Sequence, residues 1–222
     1  MKNIFAIYKP KGPTSHDIID QIRKITGIKK VGHAGTLDPQ ARGVLVVGVG
    51  REATKKLNEI VKKEKEYIAI IKLGEESSTD DEEGEKIVKS DKIIKDIKVI
   101  RDVVMSFVGM IDQIPPAYSA IKIKGKKAYE LIRKGIEPEL KPREVEIKEI
   151  EILEYEWPFL KIRVMTGPGV YIRALARDIG RKLGVGGYLY DLERIRVGKW
   201  AKEKAINMSN LKAQMSNLHL KY

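Results

Sequence analysis

One carboxylate of the chain lies where it could act as a nucleophile. Asp38 belongs to the stretch HAGTLDPQARGVL, residues 33–45, between two glycine-rich turns. An ionised carboxylate can attack an electrophilic carbon and hold a covalent intermediate. Asp-Pro is also ordinary turn chemistry, because proline fixes its own φ and biases the residue before it toward extended geometry. The stretch alone therefore leaves two interpretations open, a nucleophile and a solvated turn residue.

Few other side chains could form a reactive centre. The 222 residues include no cysteine and 3 histidines, which are His16, His33 and His219. The lack of cysteine excludes disulfides, thiolate metal sites and cysteine nucleophiles, and so few histidines leave little for an imidazole metal cluster. We therefore expect chemistry without a metal.

The charge of the chain predicts a polyanionic partner. The sequence has 43 Lys and Arg against 31 Asp and Glu, a formal net charge of +12, and clustered cations displace counterions from phosphates. The charge is uneven, because residues 75–85 hold seven acids and no base whereas residues 122–134 hold six bases and one acid. Tyrosines interleave with the basic run, which favours RNA contact. Lys122 and Lys126 are therefore candidate RNA-binding residues.

The elements that must position these residues follow from periodicity and from helix and strand breakers. Helices are predicted over residues 15–25, 52–61, 99–108, 127–134 and 170–183, and strands over 3–9, 43–49, 66–73, 118–123, 143–157, 159–166 and 188–198. The strands over 143–157 and 159–166 are expected to pair antiparallel. Because strands outnumber those of a simple βαβ series, we predict an α+β fold with a mixed, mainly antiparallel sheet and helices packed on it.

The sequence carries no sign of membrane insertion or export. No apolar run is long enough to cross a bilayer. The first ten residues, MKNIFAIYKP, lack the apolar core and the small-residue cleavage site of a signal peptide. We predict a cytoplasmic protein with no membrane partner.

A second motif favours a different class of protein. The stretch VGVGREA, residues 47–53, matches the glycine pattern of dinucleotide-binding turns through Gly48 and Gly50, with Glu75 roughly 20 residues beyond them. Hairpin-like strands follow it instead of repeated βαβ units, and the net charge suits a polymer better than a dinucleotide. We interpret the glycines as a tight strand-to-helix turn and keep a dinucleotide-binding enzyme as an alternative.

Five motifs occur in a fixed order between Lys9 and Trp200. They are KPKGPTSHD, GHAGTLDPQARGVL, KEYIAIIKLG, QIPPAYSAIKIKGKKAYELIRKG and GPGVYIRALARDIGRKLG. Together they resemble the tRNA pseudouridine synthase B (TruB) family, which isomerises the T-loop uridine of transfer RNA to pseudouridine. The resemblance implies the pseudouridine synthase fold, a mixed sheet with an active-site cleft across it, and an isomerase that needs no cofactor.

The resemblance also implies roles for individual residues. Asp38 is the catalytic nucleophile, which adds to C6 of the base or to C1′ of the sugar, and the sequence does not choose between these routes. An ionised carboxylate buried against a base needs a fixed cation, and the motif assigns that role to Arg173. We expect Arg177 and Arg181, on the same predicted helix, to be surface arginines. Tyr67 stacks beneath the target base near its C5 proton. The other implied contacts are Tyr171 and Leu192 in the base pocket, His33 in the gap left by the extruded base, and Lys9 as a support of the catalytic loop.

The organisation of the chain is predicted from the same motifs. Residues 1–200 form the catalytic domain, and residues 114–141 within it form a mobile RNA-binding arm. The tail, 201–222, is too short for the PUA domain that usually follows in the family. Its residues Met208, Leu211, Met215 and Leu218 recur at helical spacing, so we predict a docked helix. The expected partner is the T arm of tRNA, and the expected state is a monomer. A guide-RNA-dependent relative remains the nearer alternative.

Overall fold

A computed structural model gives the fold of the protein and describes residues 3–119, 121–123, 125–132 and 134–213. The helices are α1 Ser15–Thr26, α2 Arg51–Val61, α3 Ile97–Met105, α4 Ala128–Ile132 and α5 Ile172–Lys182. The strands are β1 Ile4–Lys9, β2 Val31–Ala34, β3 Arg42–Val49, β4 Lys65–Leu73, β5 Glu75–Ser77, β6 Lys86–Val88, β7 Gly109–Gln113, β8 Lys122–Ile123, β9 Lys126–Lys127, β10 Arg143–Glu156, β11 Phe159–Thr166, β12 Gly187–Val197, β13 Trp200–Ala201 and β14 Ile206–Asn207. Short 3₁₀ turns follow at Lys202–Lys204 and Met208–Asn210.

The chain divides into two compact units. The first comprises residues 1–68 and 192–222, and the second comprises residues 69–191. Strands β4 and β12 each run from one unit into the other. Both units are built from sheet strands covered by helices, so the predicted α+β class with a mixed sheet is confirmed.

The first unit has a sheet with an apolar core on each face. Its strand order is β14-β1-β3-β12, with β2 also paired to β3. Strand β3 runs antiparallel to β1 and β2 and parallel to β12. Because side chains alternate along a strand, Leu45 and Val47 pack with the isoleucines of α1 while Val44 and Val46 pack with Leu57 of α2. The strands that carry the site are therefore fixed from both sides.

Helix α1 begins and ends where its sequence signals lie. Thr14 is the N-cap, and its hydroxyl accepts from the backbone N–H of Asp17, whose carboxylate in turn accepts from the N–H of Thr14. This reciprocal capping satisfies two backbone donors that the helix leaves without partners. Gly27 ends the helix with a φ of 71°, in the left-handed region. The cap holds the first turn of α1 beside the loop that carries Asp38.

The second unit contains the part of the sheet in which β10 pairs antiparallel with both β11 and β7. Its order is β4-β11-β10-β7, and the predicted pairing of residues 143–157 with 159–166 is confirmed as β10 with β11. Helix α3 packs against β10 and α5. Helix α5 is buried along most of its length, including both of its arginines nearest the N-terminus.

Four local features differ from the sequence-based expectations. Strands β2 and β7 were not predicted, and the acidic run 75–85 begins in a hairpin formed by β5 and β6. The strand expected over 118–123 is reduced to Lys122–Ile123. In the tail, Ile206–Asn207 pairs parallel with β1, and Leu211 is buried in the core beside α1. Residues 211–213 are helical, and the rest of the predicted tail helix lies outside the described residues.

Helices of the described ranges are short or polar. None combines the length and the apolar character that a membrane crossing requires.

Candidate active site

The loop that carries Asp38 is held through its backbone carbonyls. It connects β2 to β3, and every backbone carbonyl from residue 35 to residue 39 accepts a hydrogen bond. The donors are Arg194 for Gly35 and Thr36, Ser15 for Leu37, the N–H of Ala41 for Asp38, and Gly12 with Lys9 for Pro39. Because each bond fixes one peptide plane, the Asp38 side chain is presented from an ordered backbone.

Ser15 ties this loop to the start of α1. Its Oγ donates to the carbonyl of Leu37 at 2.9 Å and accepts from the N–H of Leu37 at 2.9 Å. Ser15 is buried, and its hydroxyl takes the place of a backbone partner for both the N–H and the carbonyl of Leu37. Leu37, the residue next to Asp38, therefore has both its N–H and its carbonyl hydrogen-bonded.

Lys9 is an internal support and is fully buried. Its Nζ donates to the carbonyls of Pro10 at 2.9 Å, Pro13 at 2.8 Å and Pro39 at 3.2 Å. Burial lowers the pKa of Lys9 to about 8, although the charge of Asp38 opposes the shift. The ammonium of Lys9 thus has its donors on three carbonyls of its own chain, one of them in the loop that carries Asp38. Its role as a support of the catalytic loop stays a prediction.

Arg194 is the most heavily engaged side chain around this loop, and the sequence did not single it out. Its Nε donates to the carbonyl of Val44 at 2.8 Å, Nη2 to Gly35 at 2.9 Å and Nη1 to Thr36 at 3.3 Å. The guanidinium also interacts electrostatically with the phenol of Tyr67. Burial lowers the pKa of Arg194, and Tyr67 and the charge of Asp38 oppose that shift.

Tyr67 lies on β4 with its side chain buried. Burial raises the pKa of the phenol, Arg194 lowers it in part, and the charge of Asp38 raises it further. Arg194 and Asp38 therefore both influence the pKa of the Tyr67 hydroxyl. Leu192, on β12, points to the same side of its strand as Arg194 because the two are two residues apart, and it is half-buried.

His33 lies on β2, five residues before Asp38. Its Nδ1 is buried without a hydrogen-bond partner in the described structure. The ring meets that of His16 edge-on, with centroids 6.4 Å apart. Burial, with smaller contributions from His16 and Arg194, lowers the pKa of His33 to about 4, so the ring is neutral near pH 7.

The remaining predicted residues belong to the second unit. Arg173 is buried in the first turn of α5, where Nη2 donates to the carbonyl of Tyr118 at 2.9 Å and Nη1 lies 3.3 Å from Oδ2 of Asp81. Nη1 also donates to the carbonyl of Thr79 at 3.3 Å. Its predicted role beside Asp38 stays a prediction.

Arg177 corrects an expectation. We interpreted it as a surface arginine, but it is 8% exposed. Its Nη1 donates to Oδ2 of Asp80 at 2.7 Å, Nε to Asp178 at 2.9 Å and Nη2 to the carbonyl of Ile114 at 2.7 Å. The spacing in the sequence could have predicted this burial, because residues 173 and 177 are one helical turn apart and lie on the same side of the helix. The acidic run supplies their carboxylates.

Tyr171 is the N-cap of α5 and is held through its backbone. The amide of Gln113 accepts from the N–H of Tyr171 at 2.8 Å and donates to its carbonyl at 3.2 Å. Gln113 is 1% exposed, so this clamp is internal. The side chains of Lys122 and Lys126 lie outside the described residues, and their predicted RNA contacts stay predictions.

Comparison with known proteins places this geometry in a family. The model of the TruB family pseudouridylate synthase N-terminal domain matches residues 23–172, and that of the tRNA pseudouridylate synthase B C-terminal domain matches residues 173–219. The chain belongs to the TruB family of pseudouridylate synthases. Members of this family are isomerases, and the predicted family is confirmed.

Curated relatives and solved structures agree with this assignment. The chain is 44% identical to tRNA pseudouridine synthase B of Clostridium tetani over 95% of its own length and 73% of the relative's. It is 48% identical to that of Parabacteroides distasonis, over 88% and 86% respectively. A chain in a solved Cbf5-Nop10-Gar1 complex superposes with a TM-score of 0.73 at 32% identity. The match covers 95% of this chain and 53% of that one, so this chain spans about half its length.

The dinucleotide alternative is contradicted by the surroundings of its glycines. A Cβ on Gly48 would lie 3.0 Å from the backbone of Ala53, so this glycine serves close packing of β3 on α2. Strand β3 is antiparallel to both β1 and β2, whereas a dinucleotide-binding turn belongs to a parallel βαβ unit. The turn is structural, as the favoured interpretation of the sequence held.

Proposed function

We propose that this chain converts a uridine in the T loop of transfer RNA to pseudouridine, with Asp38 as the nucleophile and the target base turned out of its stack. The observation that carries the proposal is the fixation of the loop at residues 35–39, in which every carbonyl is hydrogen-bonded. The one carboxylate of this loop interacts electrostatically with two buried cations, Lys9 and Arg194. The tRNA substrate is the one named for the curated relatives.

The reaction suits a single carboxylate. The bond between ribose C1′ and uracil N1 breaks, a bond between C1′ and C5 forms, C5 loses a proton and N1 gains one. No electrons are lost to an acceptor and no group leaves, so neither a redox cofactor nor a co-substrate is required. A carboxylate that bonds transiently to C1′ or to C6 holds the intermediate while the uracil turns.

The other residues singled out in the sequence have matching roles in the proposal. Tyr67 stacks on the target base and faces C5, and Leu192 contacts the base from β12. Arg173 supplies the fixed cation for the carboxylate, and Tyr171 completes the pocket. Extruding a stacked base costs a few kcal/mol. His33, which is neutral and has a buried Nδ1 to satisfy, fills the space that the base leaves.

The charge supports an RNA substrate. The net charge is +12, and residues 75–85, which carry seven acids, hold part of their charge in ion pairs with α5. Those acids are thus partly neutralised within the chain. In the proposal the basic run 122–134 contacts phosphates, which predicts binding that weakens steeply with salt.

Pseudouridine mapping tests the substrate. The purified protein is incubated, without guide RNA, with a T-arm stem-loop, with the intact tRNA, and with a stem-loop in which cytidine replaces the target uridine. We expect one pseudouridine at the same T-loop position in the first two RNAs and none in the third. Modification that appears only when a guide RNA is added would favour the guide-dependent alternative, and a strict need for intact tRNA would contradict the T-arm assignment.

Salt dependence tests the basic run separately. Each phosphate contact contributes a slope of about −0.7 to −0.9 in log K against log salt concentration. Replacing both Lys122 and Lys126 by alanine should therefore make the slope shallower by about 1.5 while turnover of bound RNA stays close to that of the wild type. An unchanged slope would remove these two lysines from the RNA interface.

A further inference from the structure

Gln113 is a buried amide to which no role has yet been assigned. It is the last residue of β7 and directly precedes the predicted RNA-binding arm, residues 114–141. The residue is 1% exposed, and its side chain bonds the backbone of Tyr171 twice. Its Oε1 accepts from the N–H of Tyr171 at 2.8 Å, and its Nε2 donates to the carbonyl at 3.2 Å. Because a buried amide is costly without partners, these two bonds are what makes its burial possible.

The backbone of Gln113 closes the arm at its base. Gln113 pairs with Arg143 in the antiparallel ladder of β7 and β10, which continues to the pair of Gly109 with Ile147. The chain leaves this ladder after Gln113 and returns to it at Arg143, so the pair joins the two ends of the arm. Gln113 therefore belongs to the sheet through its backbone and to the start of α5 through its side chain.

The two side-chain bonds fix the residue at which α5 begins. Tyr171 is the N-cap of this helix, with an extended backbone at φ −102° and ψ 115°. Its carbonyl accepts from the N–H of Leu175, which is the first bond of the helix, and also from Nε2 of Gln113. Tyrosine is not one of the residue types whose side chains cap a helix. The amide of Gln113 holds the N-cap instead, because it bonds the N–H and the carbonyl of one residue at the same time.

The start of α5 carries Tyr171 and Arg173, two of the residues that the proposed function requires. The guanidinium of Arg173 donates to the carbonyl of Tyr118 at 2.9 Å. That of Arg177, one turn further along the helix, donates to the carbonyl of Ile114 at 2.7 Å. Both acceptors lie in the first residues of the arm. The buried amide and the two arginines thus bond the beginning of the arm and the beginning of α5 to each other.

We propose that Gln113 is a positioning residue for the isomerisation: it holds the N-cap of α5 so that the side chains of Tyr171 and Arg173 extend from a fixed backbone. The inference rests on the proposed function and deepens it. Gln113 acts only through α5, because its amide is buried and bonded within the chain. A shift of the N-cap would displace both side chains together, and a misplacement of about 1 Å can cost on the order of 10²-fold in rate.

A positioning role and a purely structural role change different quantities. If Gln113 only anchored the arm, its loss would weaken RNA binding, because the arm is the proposed binding element. If it positions Tyr171 and Arg173, its loss lowers the turnover of RNA that is already bound. RNA affinity and the rate at saturating RNA therefore distinguish the two roles.

The test uses Gln113→Met with Gln21→Met as its matched control. Methionine is as long as glutamine and suits a buried site, but it cannot donate to the Tyr171 carbonyl and is a weak acceptor. Gln21 is exposed on α1. For Gln113→Met we expect the single-turnover rate at saturating T-arm stem-loop to fall by roughly 10- to 10²-fold, with RNA affinity retained. Gln21→Met should change neither quantity. A wild-type rate, or weaker binding with a wild-type rate at saturation, would overturn the proposal.

A second measurement applies even if Gln113→Met does not fold. NMR of the wild type should show side-chain amide protons of Gln113 that exchange with solvent much more slowly than those of the exposed Gln21. A scalar coupling across the hydrogen bond should also join the amide nitrogen of Tyr171 to Cδ of Gln113. Fast exchange without that coupling would contradict the proposal. Failure here is distinct from failure of the proposed function, because wild-type turnover and its loss in Asp38→Asn would both persist.

Discussion

The two units bury arginines in opposite electrostatic settings. In the first unit, Arg194 donates to neutral backbone carbonyls, and Asp38 is the acid whose charge acts on it. In the second unit, Arg173 and Arg177 each meet an aspartate of the acidic run. Neutral hydrogen-bond partners do not cancel the charge of a buried cation, so the charge of Arg194 still acts on the carboxylate of Asp38. Arg173 and Arg177 of α5 instead form ion pairs with acids of the run 75–85 and hold that run against the helix.

The difference also concerns what each arginine holds in place. Arg194 holds the loop at residues 35–39, whose carbonyls are all bonded. Arg173 and Arg177 hold the start of the arm through the carbonyls of Tyr118 and Ile114. We infer that the first setting serves chemistry and that the second also serves the arm that we propose to bind RNA.

Arg173 should give the largest effect among the α5 arginines. The Arg173→Lys variant keeps the positive charge but loses the planar guanidinium that contacts Thr79, Tyr118 and Asp81 at the same time. We expect turnover to fall by roughly 10²-fold with RNA affinity retained. Single-turnover tritium release from C5 of a T-loop RNA measures it. A variant as active as the wild type would show that Arg173 only holds the acidic run and the start of the arm in place and has no part in turnover.

Arg177 should affect the arm more than the chemistry. Arg177→Gln removes the ion pair with Asp80 and the bond to the carbonyl of Ile114. We expect faster hydrogen exchange of residues 113–119 and RNA affinity weaker by about 3–10-fold, because a buried ion pair loses one partner and leaves the other unpaired. Asp80→Asn, which also breaks the ion pair, should resemble it. Unchanged exchange in both variants would refute the fastening role.

His33 should make the first unit sensitive to acid. Its pKa in the folded protein is about 4 and that of a free histidine is near 6.5, so between these values the unfolded chain binds a proton that the folded chain does not. The stability from this group is therefore full above pH 6.5 and is lost as the pH falls toward 4. Relative to pH 7, we expect His33→Gln to lose less stability at pH 5 than the wild type, by on the order of 1 kcal/mol.

Urea unfolding at pH 7 and pH 5 measures this difference. Carboxylates that titrate in the same range act in both proteins, so the comparison of wild type and variant isolates His33. Equal losses of unfolding free energy would mean that His33 takes up a proton in the folded state.

Lys65 should give the smallest effect, at alkaline pH. Its pKa is lowered to about 8 by burial and by Arg194, while its Nζ donates to the carbonyls of Val61 and Lys63. The unfolded lysine titrates near 10.4, so between pH 8 and 10 the folded chain releases its proton first and stability from this group rises with pH. Lys65→Met should flatten that rise in urea unfolding. A variant that keeps the wild-type slope would exclude Lys65 as its source.

Much of the fold was accessible from the sequence because its signals are local. Helix α1 has its capping residues and its left-handed Gly27 in one short stretch, and β10 and β11 are neighbours along the chain. The short strands β2 and β7 carried too few residues to show a period. Hairpin β5–β6 lay inside a run of acids that composition alone predicts to be solvated.

The site was accessible only in part, because its decisive contacts join distant positions. Asp38 and Tyr67 stood in recognisable motifs, but Arg194 bonds residues about 150 positions earlier in the chain. Nothing local marks it, since an arginine between Glu193 and Ile195 on a strand reads as a surface residue. The one available signal for Arg194 was its spacing of two residues from Leu192, which places both side chains on the same side of the strand. Arg177 was misjudged for the same reason, because its acid is 97 residues away.

The most direct test of the account replaces Asp38 with asparagine. Asparagine keeps the size and the turn preference of the residue and leaves the carbonyls of residues 35–39 bonded, while it removes the nucleophilic oxygen. Tritium release from C5 of a labelled T-loop RNA is measured together with RNA affinity and thermal unfolding. We predict no detectable turnover with affinity and fold preserved. Substantial tritium release by Asp38→Asn would contradict the assignment of Asp38 as the nucleophile.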